Sequence, residues 1–239
     1  PKYKSQLAIR SLKAATIYLA VSNDKIRQFA ANGLFFDFKN IGNLISKNFY
    51  INPIISKSEK LRFITIGALS PIKDFRTIFK ALEIVDKQLT QKAEFIWIGQ
   101  NRWGKKNDES VQELLSNYNF TNIDIILEPI LNRDQIATYL NSAHLFLFSS
   151  LSEGMPVSVL EALACGLAVF TSNCGGVDEI ITEQNGKIYQ IKDHQTLANL
   201  IIDFTNQSHS YDADSISKTI LEKYGETAFR KKLLTYYMQ

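Results

Sequence analysis

Several short stretches of this chain are apolar along their whole length, and amphipathic stretches alternate with them. "RFITIGAL" (62–69), "AEFIWIGQ" (93–100), "NIDIILEPI" (122–130), "HLFLFSS" (144–150) and "LAVFTSN" (167–173) are rich in β-branched and aromatic residues. A strand with one wet face alternates polar and apolar side chains. Most of these do not, so both faces have to be covered. Between them, "DFRTIFKALEIVDKQL" (74–89), "ESVQELLSNYN" (109–119), "RDQIATYLNSA" (133–143) and "VSVLEALACG" (157–166) read as helices. This order, with short connections, predicts an α/β fold built on a doubly wound parallel sheet of Rossmann type. Ligands of such sheets sit beyond the carboxyl ends of the strands.

The beginning of the chain differs. "AATIYLAVS" (14–22) reads as a strand, and "NDKIRQFAANG" (23–33) as a helix capped by Asn23 and stopped by Gly33. Residues 34–60 look irregular, with Pro53 inside them. The expected organisation is therefore the end of a preceding domain (1–33), a crossing segment (34–60), a ligand-binding domain (61–212) and two C-terminal helices (213–239) split at Gly225. The chain starts at Pro1, which reads as a cut or incompletely represented protein. A formal net charge of +3 makes no case for a nucleic-acid partner. Cys165, Cys174 and three scattered histidines form neither a disulfide framework nor a metal site, so no metal is expected. No signal peptide or membrane-length apolar run is legible, which points to a cytoplasmic protein.

Two stretches carry candidate chemistry. In "GALSPIKDF", Gly67 ends a strand and Lys73 stands at the approach to a helix, with Asp74 as its N-cap. A glycine there admits a ligand to the backbone, and a lysine beside a helix N-terminus suits a phosphate. The alternative is a solvated turn lysine. In "LSEGMPVSVLEALACGLAVF" (151–170), Glu153-Gly154-Met155-Pro156 forms the loop after a strand. Pro156 fits the first helical turn, and the amides of Met155, Val157 and Ser158 face the space above the sheet, an anion site of the helix-dipole kind. Glu161 lies at the edge of the helix's apolar stripe. It can accept two hydrogen bonds from a vicinal diol such as ribose, or instead cap a neighbouring backbone or pair with Lys73. Gly175 and Gly176 form a second tight turn, followed by Glu179. The cysteines read as small buried residues.

"SEGMPVSVLEALACGLAVFTSNCGGVDEII" resembles the sugar-nucleotide signature of retaining GT-B glycosyltransferases of the large family-four group. "FITIGALSPIKDFRTIFKAL", "AEFIWIGQ" and "IDIILEPILNRDQIATYLNSAHLFLFSSLSEG" follow the order of that family's donor-binding domain. The resemblance implies transfer of a sugar from a nucleotide-diphosphate donor to a hydroxyl of a glycan or lipid-linked acceptor, without a cofactor or metal. It gives Glu161 the ribose hydroxyls and Lys73, beside Gly67, the diphosphate. Glu153, with Gly154, Met155, Pro156 and Val157, takes the donor sugar and its leaving phosphate. Glu128, Ile130 and Leu131 flank the base, and Gly175 and Gly176 support the pocket. One departure stands out: many members carry an arginine after the glycine equivalent to Gly67, and here that residue is Ala68.

The family's N-terminal glycine loop and histidine have no counterpart in residues 1–60. The chain is therefore expected to be mainly the donor-binding part, holding nucleotide and transferring sugar poorly or not at all. A non-catalytic nucleotide-sugar-binding or assembly module is the alternative. The terminal "ETAFRKKLLTYYMQ" allows peripheral contact with the inner face of a membrane, or packing on protein, as its helix does in relatives.

Overall fold

The computed structural model of the protein describes residues 17–99, 111–206 and 211–238. Its centre is a six-stranded sheet of β3 (Leu61–Ile66), β4 (Ala93–Ile98), β5 (Ile123–Glu128), β6 (Leu145–Phe148), β7 (Ala168–Ser172) and β8 (Gly186–Tyr189). The order is β5-β4-β3-β6-β7-β8, with every pair parallel. From β3 the chain winds outward to β5, then returns to lay β6 on the other side of β3. The two halves part at the carboxyl ends of β3 and β6, the crevice where doubly wound sheets take their ligands.

The uninterrupted apolar runs have the expected cause. Alternate side chains of one strand enter two separate cores. Phe63, Phe95, Trp97, Leu145 and Leu147 join one core, which contains α2 (Phe75–Asp86) and α6 (His194–Asn206). Ile64, Ile96, Ile98, Phe146 and Phe148 join the other, with α4 (Arg133–Ser142), α5 (Val157–Ala164) and α7 (Ala213–Tyr224). The expected helix at 109–119 lies partly outside the described residues; its visible part is α3 (Val111–Leu115). No helix among the described residues is long and apolar enough to cross a membrane. The last helix, α8 (Glu226–Tyr237), packs on α7 and has no buried residue.

The early segment holds more structure than expected. β1 (Tyr18–Ala20), α1 (Asn23–Ala31) and β2 (Phe38–Asn40) make a small parallel βαβ unit that runs past residue 33. The cap of α1 is Ser22, whose hydroxyl accepts from the Lys25 amide at 3.2 Å, and not Asn23. Asn23 is already helical, so its side chain is past the capping position. The crossing segment buries Ile45 and Phe49 in the α5 core, and the Ile45 amide donates to the Tyr224 carbonyl at 3.0 Å.

Glu179 ties the small unit to the large sheet. Its carboxylate accepts from the Asn23 amide at 2.7 Å, the Asp24 amide at 3.4 Å and the Asn23 and Asn40 side-chain amides at 3.1 and 2.7 Å. An anion thus sits on the positive end of α1. Glu179→Ala is expected to cost about 2 kcal/mol, as the loss of charged hydrogen bonds does. Hydrogen exchange should then quicken at Asn23 and Asp24 before it does in β3 or β6.

Candidate functional site

Two loops meet at the crevice. After β3, the chain passes Gly67 and a 3-10 turn, Pro71–Lys73. After β6 it runs through Ser149 to Pro156 into α5. Serine hydroxyls and backbone lace the loops together. The Leu151 amide donates to the Ile72 carbonyl at 2.7 Å, and the Ser149 hydroxyl lies 2.9 Å from the carbonyls of both Lys73 and Asp74. Lys73 Nζ donates to Glu153 Oε1 at 2.6 Å and stands 5.1 Å over the Phe148 ring. Ser150 Oγ also reaches Glu153 Oε1, at 2.8 Å. Lys73 therefore pairs with Glu153 and not with Glu161. The lysine stem lies 3.7 Å from where a Gly67 Cβ would be, and the Trp97 indole donates to the Gly67 carbonyl at 2.8 Å.

Asp74 takes the expected N-cap position of α2, but in the left-handed conformation, φ 44° and ψ 48°, and its side chain makes no capping bond to the helix backbone. That conformation turns its carboxylate to the Thr77 hydroxyl, which donates at 2.7 Å. Lys73 consequently ends the 3-10 turn, before the helix.

α5 opens without a cap. Pro156 stands at the cap position, one residue before the helix, and offers no side-chain acceptor. The first amides of the helix, at Val157 to Val159, are left without the partners that a Ser or Asp would provide. Asn43 holds the mouth from the other side, its side-chain amide donating to the Met155 carbonyl at 2.7 Å.

Glu161 lies one turn into α5 and is half-buried. Burial pushes its carboxyl up to about 7, and the Arg133 guanidinium opposes that rise. Its carboxylate accepts no hydrogen bond among the described residues. Neither alternative from the sequence, a backbone cap or an ion pair with Lys73, is realised.

The glycine pair supports the loop from below. Gly175 and Gly176 have φ of 94° and 66°. The Glu153 amide donates to the Cys174 carbonyl at 2.6 Å, and any Cβ on Gly176 would overlap the Gly154 carbonyl oxygen. At the end of β5, the Glu128 carboxylate accepts from the Tyr139 hydroxyl at 2.6 Å, and its carbonyl accepts from the Gly99 amide at 2.9 Å. Ile130 is exposed, and Leu131 packs on the α5 core. Both cysteines are buried, with thiols pushed up by desolvation to about 12 for Cys165 and about 11 for Cys174. Asn43 and the Ser149-Ser150 pair stand at the site without having been expected there. Two serines closing an apolar strand were the available signal.

The sequence profile described as "Glycosyl transferases group 1" matches residues 46–220, which take in both loops, α5 and the glycine turn. The chain belongs to this family. Among similar proteins, a serotype-specific mannosyltransferase of Escherichia coli is 25% identical over 118 residues, 49% of this chain and 14% of that protein. The N,N'-diacetylbacillosaminyl-diphospho-undecaprenol alpha-1,3-N-acetylgalactosaminyltransferase of Campylobacter jejuni is 31% identical over 107 residues, 38% of this chain and 28% of that one. The match thus spans well under half of these relatives. Among solved structures, Anabaena Alr3699/HepE in complex with UDP-glucose superposes with a TM-score of 0.78 at 18% identity, over 94% of this chain and 64% of that one. Sucrose-phosphate synthase from Thermosynechococcus elongatus gives 0.77 at 18%, over 94% and 58%. These likenesses show the α/β architecture of GT-B glycosyltransferases.

Proposed function

We propose that this chain forms the donor side of a glycosyltransferase that passes a sugar, with retention, from a nucleoside diphosphate to a hydroxyl acceptor. The observation that carries it is the pairing of an uncapped helix mouth with Lys73 across the crevice, and a Glu161 farther along the same helix that accepts no hydrogen bond among the described residues. Phosphate oxygens would take the free amides of α5 and the remaining N–H groups of Lys73. A ribose diol would supply the donors that Glu161 lacks. Glu153, already fixed by Lys73 and Ser150, would meet the sugar and position it. As the glycosidic bond breaks, charge builds on the departing diphosphate, and fixed amide dipoles aimed there lower the barrier. The base would lie against the end of β5, near Glu128, Ile130 and Leu131.

UDP-glucose bound to the Anabaena relative supports a nucleotide-sugar donor, and the undecaprenol-linked substrate named for the Campylobacter relative supports a lipid-linked acceptor. Ala68, in place of the arginine of many relatives, favours a second reading: a nucleotide-sugar-binding module without transfer. Calorimetric titration with UDP, GDP and ADP tests the donor site. One of them should bind, and Lys73→Ala should weaken it by about tenfold or more. Binding by none of the three removes this reading, and sugar transfer to a lipid-linked acceptor removes the second.

A further inference from the structure

Charge balance at the crevice leaves a deficit. Lys73 and Glu153 close on each other at 2.6 Å and cancel. The position after Gly67 is Ala68 and adds nothing. A diphosphate brings more than one negative charge, whereas a helix mouth offers about half a positive one. Arg133, on α4, is near enough to Glu161 to oppose the rise of its carboxyl but makes no ion pair or hydrogen bond with it among the described residues.

Lys25, on the first turn of α1, fits the deficit. Its stem lies against the Gly154 loop: a Cβ placed on Gly154 would meet Val21 Cγ2 first, at 2.9 Å, and would touch Lys25 Cε at 3.4 Å and Cγ at 3.6 Å, ordinary contact distances. The lysine therefore runs along the loop that leads into α5. Lys25 Nζ donates to the neutral amide oxygen of Gln28 at 2.8 Å, and no carboxylate pairs with it among the described residues. The acids around it are engaged elsewhere. Asp24 takes Arg27 at 3.4 Å and the Gln28 amide at 2.6 Å. Glu179 is filled by the N–H groups of Asn23, Asp24 and Asn40. Those same contacts, with the buried Ser22 cap, fix the turn that carries Lys25.

We propose that Lys25 is a second cationic contact for the anionic end of the donor, supplying from α1 the charge that Ala68 does not. This rests on the donor-site reading above. The test compares the nucleoside diphosphate that binds the wild type with its own monophosphate, on Lys25→Gln and Lys25→Arg. Loss of a charged contact should weaken the diphosphate about tenfold in Lys25→Gln. The monophosphate should stay within about twofold, and Lys25→Arg should keep most of the affinity. Unchanged diphosphate binding, or an equal loss for both nucleotides, overturns the role of Lys25 and leaves the donor site standing. A wild-type chain that binds no nucleotide overturns both.

Discussion

Glu161→Gln is expected to make the free protein more stable above neutral pH and nearly unable to hold a nucleotide. The carboxyl has an ordinary value of 4.5 and is raised to about 7 in the folded chain, first by desolvation. The folded state therefore binds this proton more tightly than the unfolded one. The stability that comes with it is fully present below pH 4.5 and lost as pH rises through about 7. Above that, folding has to bury an ionised group without donors, at a cost of about 3 kcal/mol. Glutamine keeps the shape and removes the charge. Denaturant unfolding at pH 8 should favour the variant by about 3 kcal/mol, and at about pH 4, below the ordinary value, the two proteins should nearly coincide. The same change replaces a charged acceptor of two ribose hydroxyls by a neutral one, so nucleotide affinity should fall about 100-fold. A variant no more stable at pH 8 would show that the carboxylate is solvated. A variant that keeps its affinity would take the ribose away from this residue.

Gly176→Ala is expected to cost about 4 kcal/mol, and the loss should reach the site. Two effects add. A φ of 66° is unfavourable for alanine, and the new Cβ meets the Gly154 carbonyl oxygen, with Ser22 Cβ at 3.3 Å. The backbone has to move, and Gly154 is the backbone beside Glu153. Gly33→Ala is the control. Its φ is 76°, but nothing lies within 4 Å of a Cβ there, so the conformational part alone, about 1 kcal/mol, should appear. Nucleotide binding should survive in the control and fail in Gly176→Ala. Equal destabilisation of the two would mean that the Gly154 loop yields without resistance.

The large sheet was legible because burial on both faces writes itself into a strand as an unbroken apolar run. Most helix ends were legible to within a residue or two, though α2 and α3 stop at Asp86 and Leu115, three and four residues before the expected ends, and neighbouring capping residues compete, as Ser22 and Asn23 do. β2 escaped notice. Three residues give little pattern, and what holds Phe38–Asn40 is pairing with β1 and the ring contact of Phe38 with Tyr18 at 5.4 Å, both set by tertiary structure. Candidate residues could be named from local spacing, since Glu153 and Glu161 sit on one loop and helix. Their partners could not. Lys73 and Glu153 are separated by 80 positions, and only the winding of the sheet brings them within 2.6 Å. The left-handed turn at Asp74 was also invisible, because an aspartate before a helix reads as a cap whatever its φ.

The indole of Trp97 is a buried chromophore tethered to the Gly67 carbonyl, on the strand end that faces the crevice. A ligand that draws on that peptide group changes the polarity felt by the ring. The intrinsic emission of this chain should therefore register occupancy without any attached dye.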